Sequence, residues 1–113
     1  TLLRLRAKVI AGGANNQLAD PETGRAVFDG GILYLPDYVI NGGGIINVAG
    51  EIRALDRGEA FDPAWVEARL SHLMETLDEV LDRSKAERRP TQDVAGEIAK
   101  ARISRAAERK AAA

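Results

Sequence analysis

Two adjacent amides, Asn15 and Asn16, follow the short apolar run Val9-Ile10-Ala11 and the pair Gly12-Gly13. An amide carries donors and an acceptor together, so two in succession suit a ligand rich in polar edges. In an open α/β sheet, ligands bind at the carboxyl ends of strands, where this pair would stand. Asparagine is also a common turn residue, and local chemistry alone favours the turn. Asp37, beside Pro36, is a second candidate: a carboxylate at a strand end, read more simply as the cap of the segment that follows. Gly42-Gly43-Gly44 lacks the Lys-Ser or Lys-Thr of a phosphate loop and the Gly-x-Gly-x-x-Gly spacing. It reads better as a helix start lying close to another surface. His72, the only histidine, lies off the apolar stripe of its segment and reads as solvated surface. No Ser-His-Asp set and no metal-ligand spacing is present. None of Lys8, Lys85, Lys100 and Lys110 has the apolar, glycine-lined setting that makes an amine a nucleophile. These residues therefore name no catalytic group and no metal ligand.

The elements that must position the asparagines divide the chain in two. Nine of the 11 glycines fall between Gly12 and Gly50, so a glycine-rich first half precedes a helical second half. Arg6 to Ala11 reads as a buried strand, Arg25 to Asp29 as a short helix stopped by Gly30-Gly31, and Ile32 to Leu35 as a second strand closed by Pro36. Two strands joined by a helical crossover predict a βαβ unit with parallel strands. Tyr38-Val39-Ile40 could form a strand, with Asn41 to Gly44 a loop and Ile45 to Arg57 a helix weakened by Gly50. Asp62 then caps a helix with Pro63 at its first position. Val66, Leu70, Leu73, Leu77, Val80, Leu81 and Ser84 trace one apolar stripe, which must be buried against something. Arg88-Arg89-Pro90 ends that helix; Thr91 caps another, with the thinner stripe Val94, Ile98 and Ala101. Trp65 reads as a packing anchor, and the tail from Arg105 to Ala113 as frayed.

Composition narrows the classes. The chain has 113 residues, enough for one small core. Its net charge of −1 argues against generic nucleic-acid or anionic-membrane binding. It has no cysteine, hence no disulfide framework, which fits a cytoplasmic setting. No apolar run reaches a membrane span. The first residue is Thr1, and a strand follows almost at once, which reads as an internal start within a longer protein.

Two runs carry more than their local chemistry. One is Ala7-Lys8-Val9-Ile10-Ala11-Gly12-Gly13-Ala14-Asn15-Asn16-Gln17-Leu18. The other is Gly31-Ile32-Leu33-Tyr34-Leu35-Pro36-Asp37-Tyr38-Val39-Ile40-Asn41-Gly42-Gly43-Gly44-Ile45-Ile46-Asn47-Val48-Ala49. In this order and spacing they resemble the carboxyl-terminal part of the Glu/Leu/Phe/Val amino-acid dehydrogenases, nearest the leucine and phenylalanine branch. The resemblance implies an α/β fold: residues 1–60 as the end of a Rossmann-type NAD-binding domain, and residues 61–113 as long amphipathic helices. It implies NAD-dependent oxidative deamination of a small apolar L-amino acid, in a cytoplasmic homo-oligomer. Ala14, Asn15 and Asn16 match the segment beside the nicotinamide and its ribose, and Asn16 also matches a residue that approaches the substrate amino group. Ile45 and Val48 match positions lining the side-chain pocket. Val48 stands where glutamate-specific relatives carry a hydroxyl.

The chain departs from these relatives at Gly13, usually serine, at Gly42, usually alanine, and at Gly50, usually acidic. The family's catalytic lysine and aspartate, and its glycine-rich dinucleotide fingerprint, belong to segments that do not occur here. The resemblance thus makes this chain one wall of a site whose other partner is the remainder of the same enzyme. A helical interaction module or a regulatory nucleotide-binding module that keeps this fold is the alternative.

Overall fold

The computed structural model describes residues 4–113. Strand β1 (Val9–Ile10), helix α1 (Pro21–Asp29) and strand β2 (Leu33–Tyr34) form the expected βαβ unit. The strands are parallel, with Val9 opposite Leu33 and Ile10 opposite Tyr34. Backbone bonds from Leu33 N to Lys8 O and from Leu35 N to Ile10 O, both 2.9 Å, extend the pairing at each end. Both strands are shorter than the apolar runs suggest, and Val9 is 49% exposed rather than buried. Among the described residues each strand has a single neighbour, so no other strand pairs with its outer edge.

Helix α1 begins at Pro21, ahead of the expected Arg25. The reason is local. Asp20 accepts from Thr23 N at 2.6 Å and from Thr23 Oγ1 at 2.7 Å, and Pro21 takes the first helical position. Those bonds, first from the Thr23 hydroxyl and then from its amide, hold the Asp20 carboxyl below the usual range.

The segment after β2 is helical, not extended. Helix α2 (Asp37–Ile40) is a single turn whose Val39 and Ile40 amides bond to Pro36 O. Helix α3 (Gly43–Arg57) takes up Gly43 and Gly44, which the sequence left to a loop, and stops at Gly58 in the left-handed conformation. Tertiary packing overrides the β preference of Tyr38-Val39-Ile40: Val39 is 6% exposed, against Val80, Val94, Ala95 and Ile98.

Helix α4 (Pro63–Glu87) starts as its sequence dictates, with Asp62 Oδ1 accepting from the Ala64 and Trp65 amides. Of its stripe, Val66, Val80 and Ser84 are buried, Leu73, Leu77 and Leu81 half-buried, and Leu70 exposed. Helix α5 (Thr91–Ala112) is capped by Pro90 rather than Thr91. The Thr91 hydroxyl instead donates to Tyr34 O at 2.6 Å, tying the start of α5 to the end of β2. Val94, Ala95 and Ile98 form its buried face; Ala101 is exposed, and the helix continues through the alanine-rich tail to Ala112 instead of fraying. Helix α4 thus receives α2, α3 and α5 along its length. None of these helices is long and apolar enough to cross a membrane.

Candidate functional site

The loop after β1 lies along α2, and two side chains one turn apart hold it, Asp37 at the start of α2 and Asn41 at its carboxyl cap. Residues i and i+4 share a helix face, so Asp37 and Asn41 reach the same strip of chain. Asn41 Nδ2 donates to Gly13 O at 3.0 Å and to Asn15 Oδ1 at 3.3 Å. Asp37 Oδ2 accepts from the Asn16 backbone N–H at 3.1 Å. Its other oxygen, Oδ1, accepts from the Tyr34 hydroxyl at 3.1 Å. Asp37 is only 6% exposed, so these bonds matter: a buried carboxylate needs partners for both oxygens. Burial, then the bond to Asp37, pushes the Tyr34 hydroxyl above its ordinary range. Asp37 does not cap α2, as its position suggested; Pro36 occupies the cap, and the carboxylate turns to the loop.

Asn16 has φ = 55°, the left-handed region that asparagine tolerates better than most side chains. The turn favoured by its local chemistry is therefore present. Gln17 closes the loop, donating from Nε2 to Gly12 O at 3.2 Å.

Opposite this loop runs the first half of α3. Between them is an open groove of about 880 Å³, lined on one side by Asn15, Asn16, Asp37 and Asn41 and on the other by Ile45, Val48 and Ile52. Asn15, Asn16, Ile45 and Val48, singled out in sequence, are thus brought together. Ala14 precedes them on the loop, exposed, and does not line the groove. Turn and ligand edge are not exclusive here, because the turn is what presents the two amides. The groove offers amides and a carboxylate on one wall and bare aliphatic groups on the other. Ile45 is 76% exposed and Val48 51%, an unusual cost for residues of this type unless something covers them. No lysine or arginine lines the groove among the described residues.

The three glycine departures have different physical weight. A Cβ at Gly13 would clear Asn41 Oδ1 at 3.9 Å, so a side chain fits. At Gly42 it would lie 3.3 Å from Leu73 Cδ2, so the close surface at the start of α3 is helix α4. At Gly50 it would lie 2.7 Å from Val66 Cγ2 and 3.1 Å from Phe61 Cε2. Gly50 is therefore the contact that lets α3 seat against α4, more than a weak point in the helix.

The remaining candidates stand apart from the groove. His72 lies on the exposed face of α4, 3.3 Å from Glu75 Oε2. Trp65 anchors the α3–α4 contact, with the Arg69 guanidinium 4.7 Å and that of Arg53 5.6 Å from its ring centre. Sequence reasoning passed over Asn41 and Tyr34. The signal for Asn41 was its spacing of four from Asp37, which has meaning only once α2 is known to be helical.

The chain is similar to proteins already known. The family model for glutamate/leucine/phenylalanine/valine dehydrogenases matches residues 1–111. A leucine dehydrogenase of Geobacillus stearothermophilus is 39% identical over 103 residues, 91% of this chain and 26% of that protein. A valine dehydrogenase of Streptomyces virginiae is 42% identical over 100 residues, again 26% of its length. The crystal structure of L-tryptophan dehydrogenase from Nostoc punctiforme superposes with a TM-score of 0.77 at 35% identity, covering 93% of this chain and 30% of that one. The chain spans about a quarter of the curated relatives it matches (26% of each).

Proposed function

Because the chain belongs to the glutamate/leucine/phenylalanine/valine dehydrogenase family, we propose that it forms one wall of the active-site cleft of an NAD-dependent dehydrogenase acting on an apolar L-amino acid. In this reading residues 1–60 end a Rossmann-type cofactor domain and residues 61–113 are its helical continuation. The observation that carries it is the groove, where the paired amides of Asn15 and Asn16 face the exposed aliphatic pair Ile45 and Val48. The amide wall suits the nicotinamide and ribose edges of NAD, which Ala14, Asn15 and Asn16 would flank; the chemistry such a group would supply is acceptance of a hydride from the substrate Cα. Asn16 orients the substrate amino group, which leaves as ammonia when the imine is hydrolysed to the 2-oxo acid. Its side-chain oxygen can accept from an ammonium, and its amide N–H groups can donate to the cofactor.

Ile45 and Val48 take the substrate side chain. An aliphatic side chain gains there by covering apolar surface that water otherwise wets. A second carboxylate would lose water, meet no lysine or arginine on this wall, and face the carboxylate of Asp37. The proton-transferring groups belong to the amino-terminal part of the same enzyme, so this wall orients and selects while the other wall reacts.

Two measurements on the full-length protein test the reading. Asn16→Ala lowers kcat about ten- to hundredfold, the worth of one hydrogen bond to a charged group, and leaves the fold intact. Unchanged kinetics would remove Asn16 from the site. In a substrate panel, leucine, valine or phenylalanine is turned over in preference to glutamate; a glutamate preference would overturn the apolar pocket.

A further inference from the structure

We propose that Asp37 is a positioning residue: its buried carboxylate holds Asn16 in the left-handed conformation that points the Asn16 amide into the groove. This rests on the reading of Asn16 as a ligand-contacting residue. Asn41 already pins Gly13 and Asn15, so Asn16 is where the loop still has a conformational choice. At φ = 55° it sits in a region that asparagine tolerates but does not prefer, so a fixed partner decides whether it stays there. That support is the N–H bond to Asp37 Oδ2, 21 residues away, strengthened by the charge on the acceptor. Asp37 is in turn fixed on its other oxygen by Tyr34, whose carbonyl takes the Thr91 hydroxyl. The chain of contacts runs from the root of α5 through Tyr34 and Asp37 to Asn16. Without the carboxylate, Asn16 returns to negative φ, and its side chain leaves the groove.

A double-mutant cycle on the full-length protein separates this role from simple space-filling. Asp37→Ala lowers kcat about ten- to hundredfold, as Asn16→Ala does, because both remove the same oriented amide. The double variant is no slower than Asn16→Ala alone, since Asp37 acts through Asn16. Asp37→Asn restores most of the rate, because its side-chain oxygen accepts from Asn16 N while its NH2 donates to the Tyr34 oxygen. Multiplying losses in the double variant, or an Asp37→Asn as slow as Asp37→Ala, would overturn the proposal. Should Asp37→Ala not fold, Asp37→Leu combined with Tyr34→Phe fills the space without stranding the Tyr34 donor, and the cycle is run with that pair. An Asn16→Ala of normal rate would overturn the functional reading itself, and is distinguishable because it appears before Asp37 is changed.

Discussion

Helix α3 has two apolar faces, and they are built the opposite way round from the usual arrangement of large residues inside and small ones outside. A glycine and an alanine, Gly50 and Ala54, are its buried pair. Ile45, Val48, Ile52 and Leu55, at 76%, 51%, 52% and 80% exposure, make the open stripe. Their spacing of three, four and three is the seam that ordinarily marks a core face. The packed face is small because α4 comes close, with Val66 and Phe61 against Gly50. The open face is large because it borders a groove. On this helix, side-chain size follows how near the neighbouring backbone lies, and exposure marks the face that the described residues leave uncovered.

The contrast can be broken from either side. The largest effect is expected on the packed face. Gly50→Leu puts a side chain where a single Cβ already meets Val66 at 2.7 Å. Overpacking of this kind costs about 1–3 kcal/mol, more than the ~1 kcal/mol that replacing a helical glycine returns. Urea unfolding should show a lower midpoint. On the open face, Val48→Ala should leave that midpoint within about 0.5 kcal/mol of the parent. It should instead lower kcat/KM for a branched substrate about tenfold, the scale of a lost methylene or two in an apolar pocket. A Val48 variant that lost stability and kept its specificity would show that α3 has no such division of labour.

The smallest effect lies far from both faces, where Arg83, Glu87, Arg89 and Glu97 form an exposed ion-pair cluster. The bond to Arg83 chiefly lowers the Glu87 carboxyl, and the bond to Arg89 that of Glu97. A carboxyl depressed in the folded state adds stability above its unfolded value and loses it as pH falls through the folded one. The cluster's contribution is therefore complete at neutral pH and fades below the ordinary glutamate range. Salt screens such pairs, so the effect is slight. Comparing Glu97→Gln with the parent across acid pH in a thermal melt should show a small gap that closes on acidification.

What could be read from the chain followed the range of the forces involved. The Asp62-Pro63 start of α4 was legible because the cap and the groups it serves are two or three residues apart. The parallel βαβ unit was legible from the run of apolar and glycine segments. Helix α2 was not, because four residues with β-branched members become helical only when Val39 meets Val80 and Val94. The loop asparagines were visible as residue types, and their matched roles came with the family resemblance. Their clamps were not visible, since Asn41 reaches back 26 and 28 residues and Asp37 21. The two faces of α3 were not legible either: periodicity reports apolar stripes and says nothing of which one meets water.

Helix α5 is a cantilever. Its root is fixed by Thr91 to Tyr34, by Val94, Ala95 and Ile98 in the core, and by Arg102 to Thr76 on α4, while every residue after Arg102 is exposed. The overhang from there to Ala112 is about 15 Å at 1.5 Å per residue, so a tilt of roughly 10° at the root carries the tip about 3 Å. A small repacking around Val94 is therefore magnified along the arm, and whatever the tip rests against feels a displacement that none of its own contacts produced.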